Sequence, residues 1–172
     1  MTLGQLCQAA VSDSDSTAAN LLLHALGGPG GVTAFARTLG DHVTRLDRTE
    51  PYLNEAAPGD PRDTTSPRAI GADFAALVTG AALTPANRSL LTRWLVASTT
   101  GAGLIRAAVP AGWTAGDKTG TGGYGTSNDI GVLWPPRRSP IVMAIMSTRA
   151  TPGAAPASTL IAEAARIVLP AL

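Results

Sequence analysis

Apolar residues along the first part of the chain recur at the spacing of helix faces. Leu3, Leu6, Cys7, Ala10 and Val11 fall at i, i+3, i+4, i+7 and i+8, which predicts an amphipathic helix opening the chain. Only Met1 and Thr2 precede it, and no N-cap is expected there. The polar run Ser12-Asp13-Ser14-Asp15-Ser16 ends this helix, with Ser16 placed to cap the next. That second helix, Thr17 to Leu26, carries Leu21, Leu22, Leu23 and Leu26 and stops at Gly27-Gly28-Pro29. Gly30 to Leu39 reads as a third, closed by Gly40.

From Asp41 to Pro67 the pattern breaks. Pro51, Pro58, Gly59 and Pro61 interrupt any period, and charges are dense. Loops longer than about 12–15 residues without regular structure are usually functional or disordered. Helical spacing resumes at Ser66-Pro67, a cap with proline in the first helical position, and runs to Thr79-Gly80. Thr84-Pro85 opens another helix to about Ala97 in the same way, and a short one is expected over Ala102 to Val109. The period then shifts towards two, predicting strands at Trp113–Thr119, Ser127–Trp134 and Pro140–Thr148. The last two form an antiparallel hairpin through Pro135-Pro136-Arg137-Arg138, and a final amphipathic helix spans Ala157 to Leu169. Helices, then strands, then a helix argue for an α+β protein, with a helical part over residues 1–100 and a sheet part over 101–172.

Composition narrows the classes. A chain of 172 residues that is 45% hydrophobic can build one real core, and intrinsic disorder is excluded. The net charge is only +1 and the arginines are scattered, so no nucleic-acid surface is expected. No apolar run is long enough to span a bilayer, and the first residues lack the basic and apolar regions of a signal peptide. The lone Cys7 reads as a buried structural thiol.

Lys118 is the only lysine among thirteen basic residues, and it sits in Asp117-Lys118-Thr119-Gly120-Thr121-Gly122. A lysine in a pocket wall can hold a carboxylate as a point charge or pass protons. Thr119 and Thr121, two apart on a strand, would add hydroxyls on the same side. Gly112 to Thr119 differs from a phosphate-binding G-x-x-x-x-G-K-T by Asp117 in place of the last glycine, and no helix follows, so that reading fails. Glu50 and Asn54, four apart in a proline-held loop, can hold a water between a base and an orienting amide, an arrangement worth roughly 10²–10⁴-fold in rate. The same two residues alone also fit a solvated loop acid and a turn asparagine. Arg48 and Asp63 flank the loop and can pair across its neck. Ser14 and Ser16 alone fit ordinary helix caps.

Taken together, Ser14-Asp15-Ser16, Glu50-Pro51-Tyr52-Leu53-Asn54 and Lys118-Thr119-Gly120 resemble, in order and spacing, the class A serine β-lactamases. Thr17 to Leu23, Gly40 to Pro51, Arg62 to Thr65 and Pro110 to Trp113 carry the same resemblance, which covers the whole chain. It implies hydrolysis of a β-lactam amide through an acyl-enzyme, without metal or cofactor, by a periplasmic or secreted monomer whose partner is a small β-lactam. By that resemblance Ser14 relays a proton to the β-lactam nitrogen, assisted by Lys118, while Glu50 and Asn54 hold the deacylating water. Lys118, Thr119, Gly120 and Thr121 bind substrate, as do Ser16 and Ser127, and Asp15 braces its loop.

Three departures accompany the resemblance. Ser16 stands where asparagine is common, and Ser127 stands where many relatives place an arginine for the substrate carboxylate, leaving Arg149 and Arg106 as possible substitutes. The third concerns the nucleophile. With Lys118 the only lysine and Ala115 three residues before it, the chain holds no S-x-x-K. The expectation is therefore a chain N-terminally incomplete relative to the family and inactive alone, with an apolar cavity and an unpaired sheet edge. The alternative is a non-catalytic remnant or β-lactam-binding module.

Overall fold

The computed structural model describes residues 1–172. Three helices come first: α1 (Leu3–Ser12), α2 (Ser16–Ala25) and α3 (Pro29–Thr38). The N-cap of α1 corrects the sequence expectation. Thr2 accepts from the Gln5 backbone N–H at 3.3 Å while the Gln5 amide accepts from the Thr2 N–H at 2.7 Å, a reciprocal capping box. The start of α2 also differs. Asp15, not Ser16, is its N-cap, because the charged carboxylate accepts from the Ala18 N–H at 2.7 Å and Ser16 becomes the first helical residue.

The irregular segment after α3 holds a single 3₁₀ turn, Tyr52–Asn54, before α4 (Pro67–Val78) and α5 (Pro85–Val96). Ser66 and Thr84 cap these helices and a proline fills the first helical position of each, as the sequence predicts. The short helix expected over Ala102 to Val109 shrinks to a 3₁₀ turn at Ile105–Ala108, since Gly103 and Pro110 leave too little chain for α-helical pairing.

Three antiparallel strands follow in the order β1 (Thr114–Gly122), β2 (Thr126–Trp134) and β3 (Ile141–Ser147). β1 runs further than the sequence indicates, through the Lys-Thr-Gly-Thr-Gly run, because each of those residues finds a partner on β2: Lys118 pairs with Ile130, and Thr121 with Ser127. Alternation on β2 places Val132 on one face and Leu133 on the other. Val132 joins Val78 and Leu95 beneath α1, α4 and α5; Leu133 joins Leu104, Ile105, Met143, Ile161 and Ala165 beneath α6 (Ser158–Val168). The sheet is thus covered on both faces, and β3 has a strand neighbour on one side only. An apolar hollow of about 180 Å³ opens among Val11, Phe74, Leu77, Val78, Leu91 and Leu95, with Lys118 on its wall.

Candidate active site

Ser14 occupies the turn between α1 and α2 with a left-handed φ of 56°, a conformation uncommon for a side-chain-bearing residue outside turns. The Asp15 cap fixes the next residue, so the turn presents the Ser14 hydroxyl to β1. There the Lys118 Nζ donates to Ser14 Oγ at 2.7 Å and to the Thr119 carbonyl at 2.8 Å. Burial pushes the Lys118 ammonium below its ordinary range, opposed by the negative fields of Asp117, Glu50 and Asp129. A cleft of about 280 Å³ lies beside this contact, lined by Ser14, Thr100, Thr119, Gly120, Thr121 and Ser158 among others. Thr119 Oγ1 shares a 2.7 Å hydrogen bond with Thr100 Oγ1.

The loop brings a second pair together. Asn54 Nδ2 donates to Glu50 Oε2 at 2.5 Å, and the Glu50–Pro51 peptide bond is cis. Asn20 on α2 holds the Glu50 backbone on both sides, donating to its carbonyl at 3.0 Å and accepting from its N–H at 2.9 Å. The loop is closed at its neck by the Arg48–Asp63 ion pair at 2.5 Å, and Asp63 also accepts from the Asp47 and Arg48 N–H groups. Arg48 reaches Glu55 as well. On the sheet side the Gly123 N–H donates to the Asn54 carbonyl at 2.7 Å, and a Cβ at Gly122 would stand 2.7 Å from that same oxygen. Glycine is what lets the β1–β2 turn touch the loop.

Other sequence-selected residues lie elsewhere. Ser16 is exposed on the first turn of α2, outside the cleft lining. Ser127 is buried in β2 with its hydroxyl unpartnered, also outside the lining. The Arg106 guanidinium is engaged by Asp117 at 2.9 Å and by the Leu95 carbonyl at 2.6 Å. Arg149 lines a separate cavity of about 520 Å³ between the loop and the end of β3. Cys7, expected to be buried, is only half-buried on α1.

Sequence reasoning missed Asn20, Thr100, Ser158 and Asp129 as parts of this neighbourhood. Asp129 is fully buried, accepts from the Ile105 N–H at 2.9 Å, and is pushed up to about 7 by burial and by the nearby Asp117 charge. A charged residue inside a segment read as a strand, just before the apolar end of β2, was its only signal. Asn20 had one, its place in the segment shared with the family; the two hydroxyls of Thr100 and Ser158 had none.

Geometry and sequence comparison now converge. The model of the β-lactamase enzyme family matches residues 1–172. The chain belongs to that family. A β-lactamase of Amycolatopsis lactamdurans is 56% identical over 172 residues, spanning all of this chain and 57% of that protein. The solved β-lactamase from Streptomyces albus G superposes with a TM-score of 0.98 at 53% identity, over all of this chain and 65% of that one. An ancestral class A β-lactamase (GNCA) gives 0.95 at 57% identity, over 100% and 66%. The α+β architecture is therefore the class A fold, and the chain spans less than two thirds of these relatives.

Proposed function

We propose that these 172 residues form the substrate-holding and deacylating part of a β-lactam hydrolase whose nucleophilic serine comes from outside them. The observation that carries this is the Lys118–Ser14 hydrogen bond, set beside a loop in which Glu50 and Asn54 face each other. The serine oxygen attacks the lactam carbonyl and gives up its proton, which reaches the departing nitrogen through the Ser14 hydroxyl as the C–N bond breaks, while Lys118 steadies Ser14. Thr119 and Thr121 hold the substrate carboxylate beside Lys118. Water bound between Glu50 and Asn54 then attacks the acyl carbon, giving a proton to Glu50; the ester C–O bond breaks, the serine oxygen takes that proton back and stays on the protein, and the ring-opened product departs as its acid.

In this division of labour residues 1–100 supply Ser14, Glu50 and Asn54, and residues 101–172 supply the Lys118 strand. The apolar hollow under Phe74 and Leu91 seats the nucleophile-bearing helix, which buries the Lys118 stem. Substrate is a small β-lactam, the protein acts as a monomer, and its place of action is the periplasm or the exterior.

Nitrocefin hydrolysis tests this reading, with the chain alone and with the chain coexpressed beside the part of the Streptomyces albus G enzyme that it does not match. Turnover only in the second case supports it. Turnover by the chain alone overturns the external nucleophile, and no turnover in either overturns the hydrolase reading in favour of a binding module.

A further inference from the structure

No cation lines the cleft itself, and the one that reaches its edge is Lys118, through the hydrogen bond its ammonium donates to Ser14. A lysine attracts a carboxylate as a point charge but does not fix its plane, whereas an arginine fork does both. Here both candidate arginines are occupied or distant: Arg106 is spent on the Asp117 carboxylate, and Arg149 faces the separate cavity. Ser127 is buried and does not line the cleft. Orientation must therefore come from neutral donors.

We propose that the substrate carboxylate is received without an arginine, in a hydroxyl cradle that Thr100 and Ser158 complete around Lys118, Ser14, Thr119 and Thr121. This inference rests on the reading given under Proposed function. Thr100 acts through Thr119. Their hydroxyls lie 2.7 Å apart, and each has a single proton. When Thr119 spends its proton on an anionic ligand, it must accept from Thr100, so Thr100 is the residue that sets the direction of the donor. Ser98 Oγ, 3.4 Å behind Thr100, can extend the relay. Alternating donors in such a chain polarise one another and strengthen the terminal bond to charge. Ser158, the first residue of α6, lines the same cleft and adds a further hydroxyl to it. Its side chain makes no capping bond, and the N-cap position of α6 is Ala157, which makes none either. Ser158 is a direct donor in this assignment; Thr100 is a positioning residue.

The experiment compares benzylpenicillin with its methyl ester, by calorimetric titration of the 172-residue chain and its variants. The acid is expected to bind more tightly than the ester. Ser158→Ala is expected to weaken the acid by roughly 10–100-fold, the usual worth of one hydrogen bond to charge, and Thr100→Val, which acts through a neutral hydrogen bond, by roughly 3–10-fold, with the ester unchanged in both. Thr100→Ser is expected to restore acid binding, which a purely structural role for the threonine would not require. Should the wild type prefer the acid while both variants bind it as well as wild type, the cradle is wrong and the Lys118 reading survives. An Arg149→Ala variant that abolishes the preference likewise overturns the arginine-free assignment. A wild-type chain that binds acid and ester equally, or binds neither, sinks the carboxylate reading itself and this inference with it.

Discussion

Lys118 Nζ and Ser14 Oγ meet at 2.7 Å although 104 residues separate them. The bond ties the α1–α2 turn to the sheet and puts the only lysine where a proton and an anion can both use it. Because burial lowers the Lys118 pKa from its ordinary 10.5, its charge disappears at a lower pH than an exposed lysine would show. Affinity for benzylpenicillin should therefore fall with rising pH before 10.5 is reached. Lys118→Ala should lower affinity about tenfold or more at neutral pH and remove that alkaline decline. Titrations from pH 7 to 10 check both, and a wild-type profile flat across the range would contradict the role given to the ammonium.

The Glu50–Asn54 pair predicts a separation of the two chemical steps. In the coexpressed, active pair of segments, Glu50→Gln should slow deacylation by about 10²–10⁴-fold. An acyl adduct should then persist on the nucleophile-bearing segment and register by mass spectrometry. Asn54→Ala should act in the same direction but less strongly, since it leaves the base and frees only the orientation of the water. A Glu50→Gln protein that turns over at the wild-type rate would remove this loop from the mechanism.

Much of this was legible in the sequence because it depends on local chemistry. Ser66-Pro67 and Thr84-Pro85 mark helix starts whatever surrounds them, and the strand period of β2 survives its burial on both faces. The loop neck was visible too, because Arg48 and Asp63 carry opposite charges on the two flanks of the proline-held loop. What stayed hidden depends on approach between distant segments. Thr100 gains its meaning only when the chain after α5 is laid beside β1, and Asp117 and Arg106 pair only once the 3₁₀ turn folds under the sheet. The α1 and α2 caps were misjudged for a different reason. Asp15 stands between Ser14 and Ser16, residues of similar capping strength, and the choice is made by a hydrogen bond; Thr2 has no such competitor, and with Gln5 three residues on it carries a capping-box pattern that the apolar spacing alone does not show.

The Arg106–Asp117 pair should be the costliest ion pair to break. Asp117 is 1% exposed, and one of its oxygens already lacks a hydrogen-bond partner. Arg106→Ala would leave the remaining charge uncompensated in the interior, at a cost of about 3–5 kcal/mol. Gly101→Ala should be harmful at the same place, since a Cβ there would overlap the Asp117 carboxylate. Urea unfolding monitored by circular dichroism measures both. The exposed Arg45–Asp47 pair serves as the control, and its removal should change stability by less than about 1 kcal/mol.

Two buried carboxyl groups give the chain a definite stability profile against pH. Burial raises Asp129 to about 7, with Asp117 adding to the shift, and raises Asp73 to about 6, with Asp41 adding to it. Both have an ordinary value of 3.8, so between pH 4 and pH 7 the unfolded chain has lost protons that the folded chain keeps. The unfolded state is therefore favoured as pH rises through this window, by up to about 1.4 kcal/mol per pH unit for each group. Asp41 acts at lower pH. Burial pushes it up, but hydrogen bonds from Thr44 and Val43 carry it down to about 2, so its contribution is complete by pH 4. Melting temperature should thus decline from pH 4 to pH 7 and level off above. Asp129→Asn should remove most of the decline above pH 6, where Asp73 is past its midpoint of ionisation, and Asp73→Asn should reduce the part below it. Thermal melts at half-unit intervals resolve the two segments; an Asp129→Asn chain that keeps the wild-type slope between pH 6 and 7 would show that Asp129 is ionised in the folded state.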